Sequence, residues 1–322
     1  MRAGGRASPK GSAEAVAEPL EELRPKAFAI AYRMLGSVSE AEDVVQEALL
    51  RLHRERERGE RIESPEAYVA TVVTRLGIDE LRSARARRER YVGEWLPEPL
   101  LIDEDDDPAR HAEVADSLSL AFLVLLESLS PEQRAVFLLR EVFDYPYEEI
   151  ARIVGKSEAN ARQLAVRARR HVGERRPRFE ASRDQRERLA QRFFAAVEDG
   201  ELEALETLLA DDVALHGDGG GKAPALARPL HGRIRVARTL VAWARAAARF
   251  GGVTLRRVSV NGQPGAEILS PDGRLINVMA LEIGDGEIRA VSSVVNPDKL
   301  QHLGPVADLT ALLASEPAGP DP

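Results

Sequence analysis

The sequence predicts two all-α units followed by a smaller α+β unit. Three observations carry that prediction. Apolar residues recur at helical spacing from Leu20 as far as Val172. A helix-turn-helix closes that half. From about Asp184 the period changes, and four strand-like runs follow one another between Asn-Gly, Asp-Gly and Gly-Asp-Gly turns. That is the mark of an antiparallel meander behind helices.

The helix-turn-helix spans Tyr147 to Arg170. Ile150, Ala151, Ile153 and Val154 set a first helix. Gly155 breaks it and is free to take the positive φ of a tight turn. Ser157 is the expected N-cap of the second helix. There Ala161, Leu164, Ala165, Ala168 and Val172 form one apolar stripe. Glu158, Asn160, Arg162, Gln163, Arg167 and Arg170 lie off it. Asn and Gln suit adenine edges, Arg suits guanine, and Glu accepts from cytosine. An ordinary αα-hairpin with a solvated basic face is the alternative.

The 322 residues suffice for two or three domains with cores of their own. The net charge of -8 argues against a protein that merely coats nucleic acid, which is basic overall. Basic residues are clustered, so DNA contact is local and acidic surface is left for another partner. The absence of cysteine excludes disulfides, zinc fingers and thiol catalysis, and fits a reducing cytoplasm. The histidines are scattered without metal-ligand spacing, so neither metal nor cofactor is expected. There is no apolar signal-peptide core and no run near the ~20 apolar residues of a membrane span. The expectation is a cytoplasmic protein without membrane contact.

In chain order, residues 1–17 read as a flexible tail. A first helix runs from Leu20 to Leu35 and ends at Gly36. Ser39-Glu40-Ala41-Glu42 reads as a capping box. It opens a helix with Val44, Val45, Ala48, Leu49 and Leu52 inward and Glu40, Asp43, Gln46 and Glu47 outward. Ser64-Pro65 starts a third helix, whose stripe is Val69, Val72, Val73, Leu76 and Leu81. It runs into Arg82, Arg85, Arg87, Arg88 and Arg90, flanked by Tyr68 and Tyr91. Arginines beside aromatics suit a phosphate backbone and stacked bases; a solvated charge run is the alternative. Residues 93–116 form an acidic, proline-bracketed linker, in which the apolar Trp95 and Leu96 point to docking. Leu118 to Leu129 is a helix, and Ser130-Pro131-Glu132-Gln133 caps the next. With the helix-turn-helix they complete a four-helix unit. Helices follow at Leu189–Val197 and Leu202–Leu209, then a short strand at Val213–His216, a glycine-rich loop and a helix from Ile234 to Phe250. Apolar residues on both phases between Ile276 and Ile283 imply a curved sheet covered on both sides. Residues 304–322 read as a second flexible tail.

An acidic helix with an Arg-rich exit, then a linker, then a helix-turn-helix, resemble bacterial RNA polymerase sigma factors of the extracytoplasmic-function (ECF) group. SEAEDVVQEALLRL matches the core-polymerase-binding helix of the sigma-2 domain, and YVATVVTRLGIDELRSARARR its segment for the minus-ten element. SEANARQLAVRARR matches the minus-thirty-five reader of sigma-4. The resemblance implies sigma-2 at 18–92, the linker at 93–116 and sigma-4 at 117–176. It implies contact with the clamp region of the polymerase's largest subunit through Asp43, Gln46 and Glu47. Minus-ten contacts fall to Arg75, Asp79, Arg82, Arg85, Arg87 and Arg88, with Arg75 standing where such segments often carry Asn. Minus-thirty-five contacts fall to Ser157, Glu158, Asn160, Arg162, Gln163, Arg167 and Arg170.

Three further stretches resemble signatures of the ECF41 subgroup, whose members carry a SnoaL-like domain of the NTF2-like cone fold, here at 184–303. They are Trp95-Leu96-Pro97, Asp218-Gly219-Gly220-Gly221-Lys222 and Asn296-Pro297-Asp298-Lys299-Leu300. The implied function is an alternative sigma factor, regulated by its fused cone, that binds core polymerase and acts on double-stranded and melted promoter DNA. No separate anti-sigma protein is then needed. One rival is a one-component regulator with a ligand-binding cone, which needs neither the acidic helix nor the Arg-rich exit. Another is a SnoaL-like enzyme fused to a DNA-binding module. Its acid–base groups, from Asp211, Asp212, His216, Asp218, His231 and Asn277, must converge in a dry pocket. Asp211-Asp212 reads instead as a helix end. DGGGK lacks the phosphate-loop spacing of GxxxxGK[ST] and reads as a loop passing close to another backbone. No catalysis is expected.

Overall fold

The computed structural model describes residues 20–88, 90–102, 117–173 and 182–314, the side chains of 84–88 excepted. These form two compact units. One comprises residues up to 35, 39–82 and 131–168; the other comprises 36–38, 83–130 and the chain from 169 onward.

The first unit is all helical. Helices α1 (Arg24–Leu35), α2 (Val38–Glu57) and α3 (Pro65–Arg88) bury the predicted stripes; Ala41, Val45, Ala48 and Leu52 are fully buried. After α4 (Leu120–Leu126), which belongs to the second unit, come α5 (Pro131–Glu141), α6 (Tyr147–Val154) and α7 (Glu158–Gly173). The helix-turn-helix forms as the sequence predicts. Gly155 ends α6 in the left-handed region at φ 65°, and Ser157 Oγ accepts from the Asn160 amide at 3.3 Å. The buried Arg134 of α5 donates to the Arg33 carbonyl of α1 at 3.0 Å.

The second unit is an α+β cone. Its mixed sheet has the order β1-β4-β5-β6-β7-β2-β3. The strands are β1 (Leu101–Ile102), β2 (Leu209–Asp218), β3 (Leu230–His231), β4 (Thr254–Val260), β5 (Gln263–Leu269), β6 (Leu275–Gly284) and β7 (Glu287–Val294). The predicted meander is β4 to β7, and β2 lies parallel to β7. Both faces are covered, as the alternation in β6 requires. Met279, Leu281 and Ile283 pack with Phe193, Leu205 and Leu240 from α8 (Arg183–Asp199), α9 (Leu202–Leu208) and α10 (Arg233–Ala248). Val278 and Ala280 face Leu96 of the linker, Leu120 of α4 and Leu300 of α11 (Pro297–Leu300).

The structure corrects four expectations. Helix α2 starts at Val38, ahead of the Ser39 box. The linker's Glu98 accepts from Ser37 Oγ at 2.8 Å and from the Val38 amide at 2.6 Å. A carboxylate at a helix N-terminus satisfies orphan amides, and Glu42 turns to Arg24 at 3.0 Å. Asp211 and Asp212 lie in β2, not at a helix end, and pair with Arg233 and Arg289. The linker is partly a strand, since β1 pairs with β4 (Leu101 opposite Val260), giving the sheet edge a partner. Residues 304–314 are ordered. Leu275 exchanges backbone bonds with Pro305 and Ala307, each at 2.9 Å, and α12 (Leu309–Ala314) follows. The rest of that predicted tail, 315–322, and residues 1–17 lie outside the described residues, as do the linker acids 103–107. No helix among the described residues is long and apolar enough to cross a membrane.

Candidate functional site: DNA-reading helices and a linker clamp

On α2, Asp43 and Gln46 are exposed, while Glu47 is half-buried and pairs with Arg51 at 2.7 Å. On α7, the stripe Ala161, Ala165, Ala168 and Val172 is buried. Ser157, Glu158, Asn160, Arg162, Gln163, Arg167 and Arg170 are all exposed. Arg162 pairs with Glu158 and lies 4.6 Å from the Tyr147 ring centroid. Two α3 arginines are engaged inside the first unit. Arg75 donates to the Arg152 and Ile153 carbonyls, each at 2.9 Å. Those carbonyls end α6, where the helix dipole favours a cation. Arg82 pairs with Asp79 at 3.0 Å and Glu132 at 2.6 Å. The side chains of Arg85, Arg87 and Arg88 lie outside the described residues.

In the second unit the three signature stretches meet at Asp218, which ends β2 fully buried. Its Oδ1 accepts from Tyr91 Oη at 2.5 Å. Its Oδ2 accepts from the Leu96 amide at 2.8 Å and Lys299 Nζ at 2.7 Å. Its main-chain carbonyl accepts from the Val295 and Asn296 amides at 2.9 and 3.0 Å. Lys299, 6% exposed, also donates to the Leu96 carbonyl, and its ammonium lies 4.3 Å from the Trp95 ring and 5.0 Å from the Tyr91 ring. A buried ammonium needs such a set of acceptors and π-faces to offset its desolvation. Asn296 caps α11 through the Asp298 amide and donates from Nδ2 to Tyr91 Oη at 2.8 Å. Burial and the Asp218 carboxylate push the Tyr91 phenol well above its ordinary pKa.

The glycine loop fits against this clamp because it lacks side chains. A Cβ on Gly219 would lie 2.1 Å from the Ala223 carbonyl oxygen, and one on Gly220 would lie 2.3 Å from Asn296 Nδ2. Gly220 and Gly221 also hold φ of 58° and 71°. Lys222 closes the loop on Asp298 at 2.5 Å. Leu96 and Pro97 are buried, Leu96 against Leu300 in the core under the sheet.

The chain matches the family model "Sigma-70 region 2" over residues 20–87 and "Sigma-70, region 4" over residues 119–172. It is 38% identical to the ECF RNA polymerase sigma factor SigJ of Mycobacterium tuberculosis over 87% of this chain and 91% of that one. A second protein of that organism, named SigI, is 33% identical over 85% and 91%. The crystal structure of SigJ superposes with a TM-score of 0.72 at 35% identity, covering 90% of this chain and all of that one.

The chain belongs to the extracytoplasmic-function RNA polymerase sigma factors. As such a sigma factor it binds core RNA polymerase and promoter DNA and directs transcription initiation.

Several residues of this sigma factor's site escaped the sequence reading. Tyr91, grouped there with base-stacking aromatics, is instead the hydroxyl that bridges Asp218 and Asn296. Glu94 binds His216 at 2.7 Å. Asn261 forms the β4–β5 hairpin turn with Gly262, as the Asn-Gly pair predicts, and is also fully buried. It accepts from the Leu100 amide at 2.8 Å and donates to the Leu118 carbonyl at 2.9 Å. Its neighbour Gly262 already serves a turn, so local sequence carries no sign of those distant partners. Val166, 60% exposed on α7, stands among the polar residues of its exposed face. An apolar residue off the stripe was the available signal. Of the polar groups weighed for acid–base chemistry, only Asn277 lines the cavity of the cone; His231, Asp211 and Asp212 are exposed elsewhere.

Proposed function

We propose that this sigma factor is regulated by its own C-terminal cone, which grips the linker between the two DNA-reading regions. The observation that carries the reading is Asp218, a buried carboxylate whose partners are Tyr91 just ahead of the linker, the linker's Leu96 amide and the linker-binding Lys299. Asp43, Gln46 and Glu47 face the clamp region of the polymerase's largest subunit. The exposed α7 residues from Ser157 to Arg170 read the minus-thirty-five element. Asp79 and the arginines of α3, including Arg85, Arg87 and Arg88, serve the minus-ten element once Arg75 and Arg82 leave their present partners. Trp95, Leu96, Pro97, the loop Asp218 to Lys222 and the segment Asn296 to Leu300 are the regulatory contacts. With the restraint supplied in the same chain at high effective concentration, no separate anti-sigma protein is required. Catalysis is not part of this reading.

Run-off transcription with purified core polymerase tests it. Full-length chain, an Asp218→Asn variant and a chain ending before Arg183 are compared on one promoter. The reading requires all three to bind core and the two altered chains to differ from the full chain in output. Equal output from all three would leave the cone a passenger.

A further inference from the structure

The cone carries a half-open cavity that the linker clamp does not use. Its volume is about 430 Å³, within the ~300–1,000 Å³ of small-molecule sites. It lies between α10 and the sheet, walled by Leu240, Trp243, Phe250 and Met279, with the half-buried Leu309 and the exposed Leu313 of α12 at its edge. Two buried polar residues interrupt this wall. Ser293 Oγ donates to Asn277 Oδ1 at 3.2 Å; the residues are 3% and 8% exposed. Whichever way the amide is turned, the pair keeps a donor and an acceptor for an occupant. The one ionisable residue at the described wall is Glu198, which is exposed at the rim. A charged ligand would find no counter-charge inside, so burial selects against it.

We propose that this cavity binds a neutral, largely apolar small molecule carrying one hydrogen-bonding group against Asn277 and Ser293, and that occupancy is felt at the linker clamp. The covalent chain makes the connection. Gly217 lines the cavity and the next residue, Asp218, holds the linker. Val295 lines the cavity and the next residue, Asn296, holds Tyr91. The segment that carries Lys299 continues through the Leu275–Val306 bridge into α12, whose Leu309 and Leu313 line the edge of the cavity. An occupant that moves β2, β7 or α12 therefore moves the groups that grip Leu96. The regulatory purpose of this site rests on the role proposed above for the cone; binding does not.

The test uses the full chain and 6-propionyl-2-dimethylaminonaphthalene, a neutral naphthyl ketone whose emission shifts to the blue in an apolar site. The expected result is saturable binding, one probe per chain. Ala244→Phe, which fills the cavity from α10, should weaken it at least tenfold. Asn277→Leu, which keeps volume but removes the amide, should weaken it severalfold, so the inference does not depend on one variant folding. 2-Decanone should displace the probe. The chain has two tryptophans, Trp95 in the clamp and Trp243 in the cavity wall. In a Trp243→Phe chain, saturating 2-decanone should therefore shift the emission of Trp95 alone. Absence of saturable binding, or binding indifferent to both substitutions, overturns the site. Binding without a Trp95 response overturns the coupling. Neither readout involves polymerase, so a cone that binds ketone yet leaves run-off output unchanged refutes the regulatory role and not the site.

Discussion

Replacing Asp218 by Asn removes one charge and almost no volume from the centre of the clamp. The carboxylate takes three side-chain or linker bonds, from Tyr91, the Leu96 amide and Lys299, with no exposure to water. Asn keeps one oxygen but turns an NH₂ toward at least one of those donors. Lys299, 6% exposed, then keeps the Leu96 carbonyl and two aromatic faces but no anion. Removing one partner of a buried ion pair costs about 3–5 kcal/mol. The bonds that Asn preserves place this change near the lower end, about 3 kcal/mol. In a unit of this size that lowers the melting temperature by roughly 6–12 °C. Lys299→Met strands the carboxylate instead and costs a similar amount. The double variant leaves no unpaired charge, so its loss falls short of the sum of the singles by at least ~1 kcal/mol. Thermal melts followed by tryptophan emission, with hydrogen exchange at the Leu96 amide, measure both quantities. The amide exchanges faster in each single variant. Additive losses, or a single-variant loss below about 1 kcal/mol with the Leu96 amide still protected, would refute the argument.

Charge reversal at Asp43 and Glu47 lowers affinity for core polymerase by ~1–3 kcal/mol without unfolding α2, because both lie off its apolar stripe; a pull-down with purified core measures it. Arg162→Ala or Gln163→Ala relaxes preference at particular minus-thirty-five base pairs by ~1–3 kcal/mol, read by competition among operator variants. Arg170→Ala instead weakens binding evenly and lowers its salt dependence, as loss of a phosphate contact does. Gly219→Ala forces a Cβ to 2.1 Å from the Ala223 carbonyl oxygen and opens the loop; proteolysis within 90–102 then accelerates, and an unchanged cleavage rate counts against the clamp. The Tyr91 phenol is raised in the folded chain, so its contribution is fully present below the ordinary tyrosine pKa of about 10 and is lost progressively as pH rises from there through the raised value. Spectrophotometric titration should show one tyrosine that fails to ionise near pH 10 in the native chain, and Tyr91→Phe should abolish that difference.

The sequence by itself determined the main helices, the β4 to β7 meander and which of their faces are buried. The α7 stripe, the Gly155 break, the Ser157 cap and the two-sided β6 all follow from local periodicity and local backbone chemistry, which act over a few residues. It also determined the family, because motif order survives where contacts are unseen. Tertiary structure decided where the polar groups go. Glu98 caps a helix 60 residues earlier, Tyr91 finds Asp218 across 127 residues, and Asn261 reaches Leu118 across 143. Such bonds satisfy buried donors and acceptors, and their partners are fixed by how the chain folds back, not by spacing along it. The same holds for the linker strand and for residues 304–314. Each reads alone as a polar tether or tail, and each is ordered by a sheet whose unpaired backbone groups and apolar face accept it.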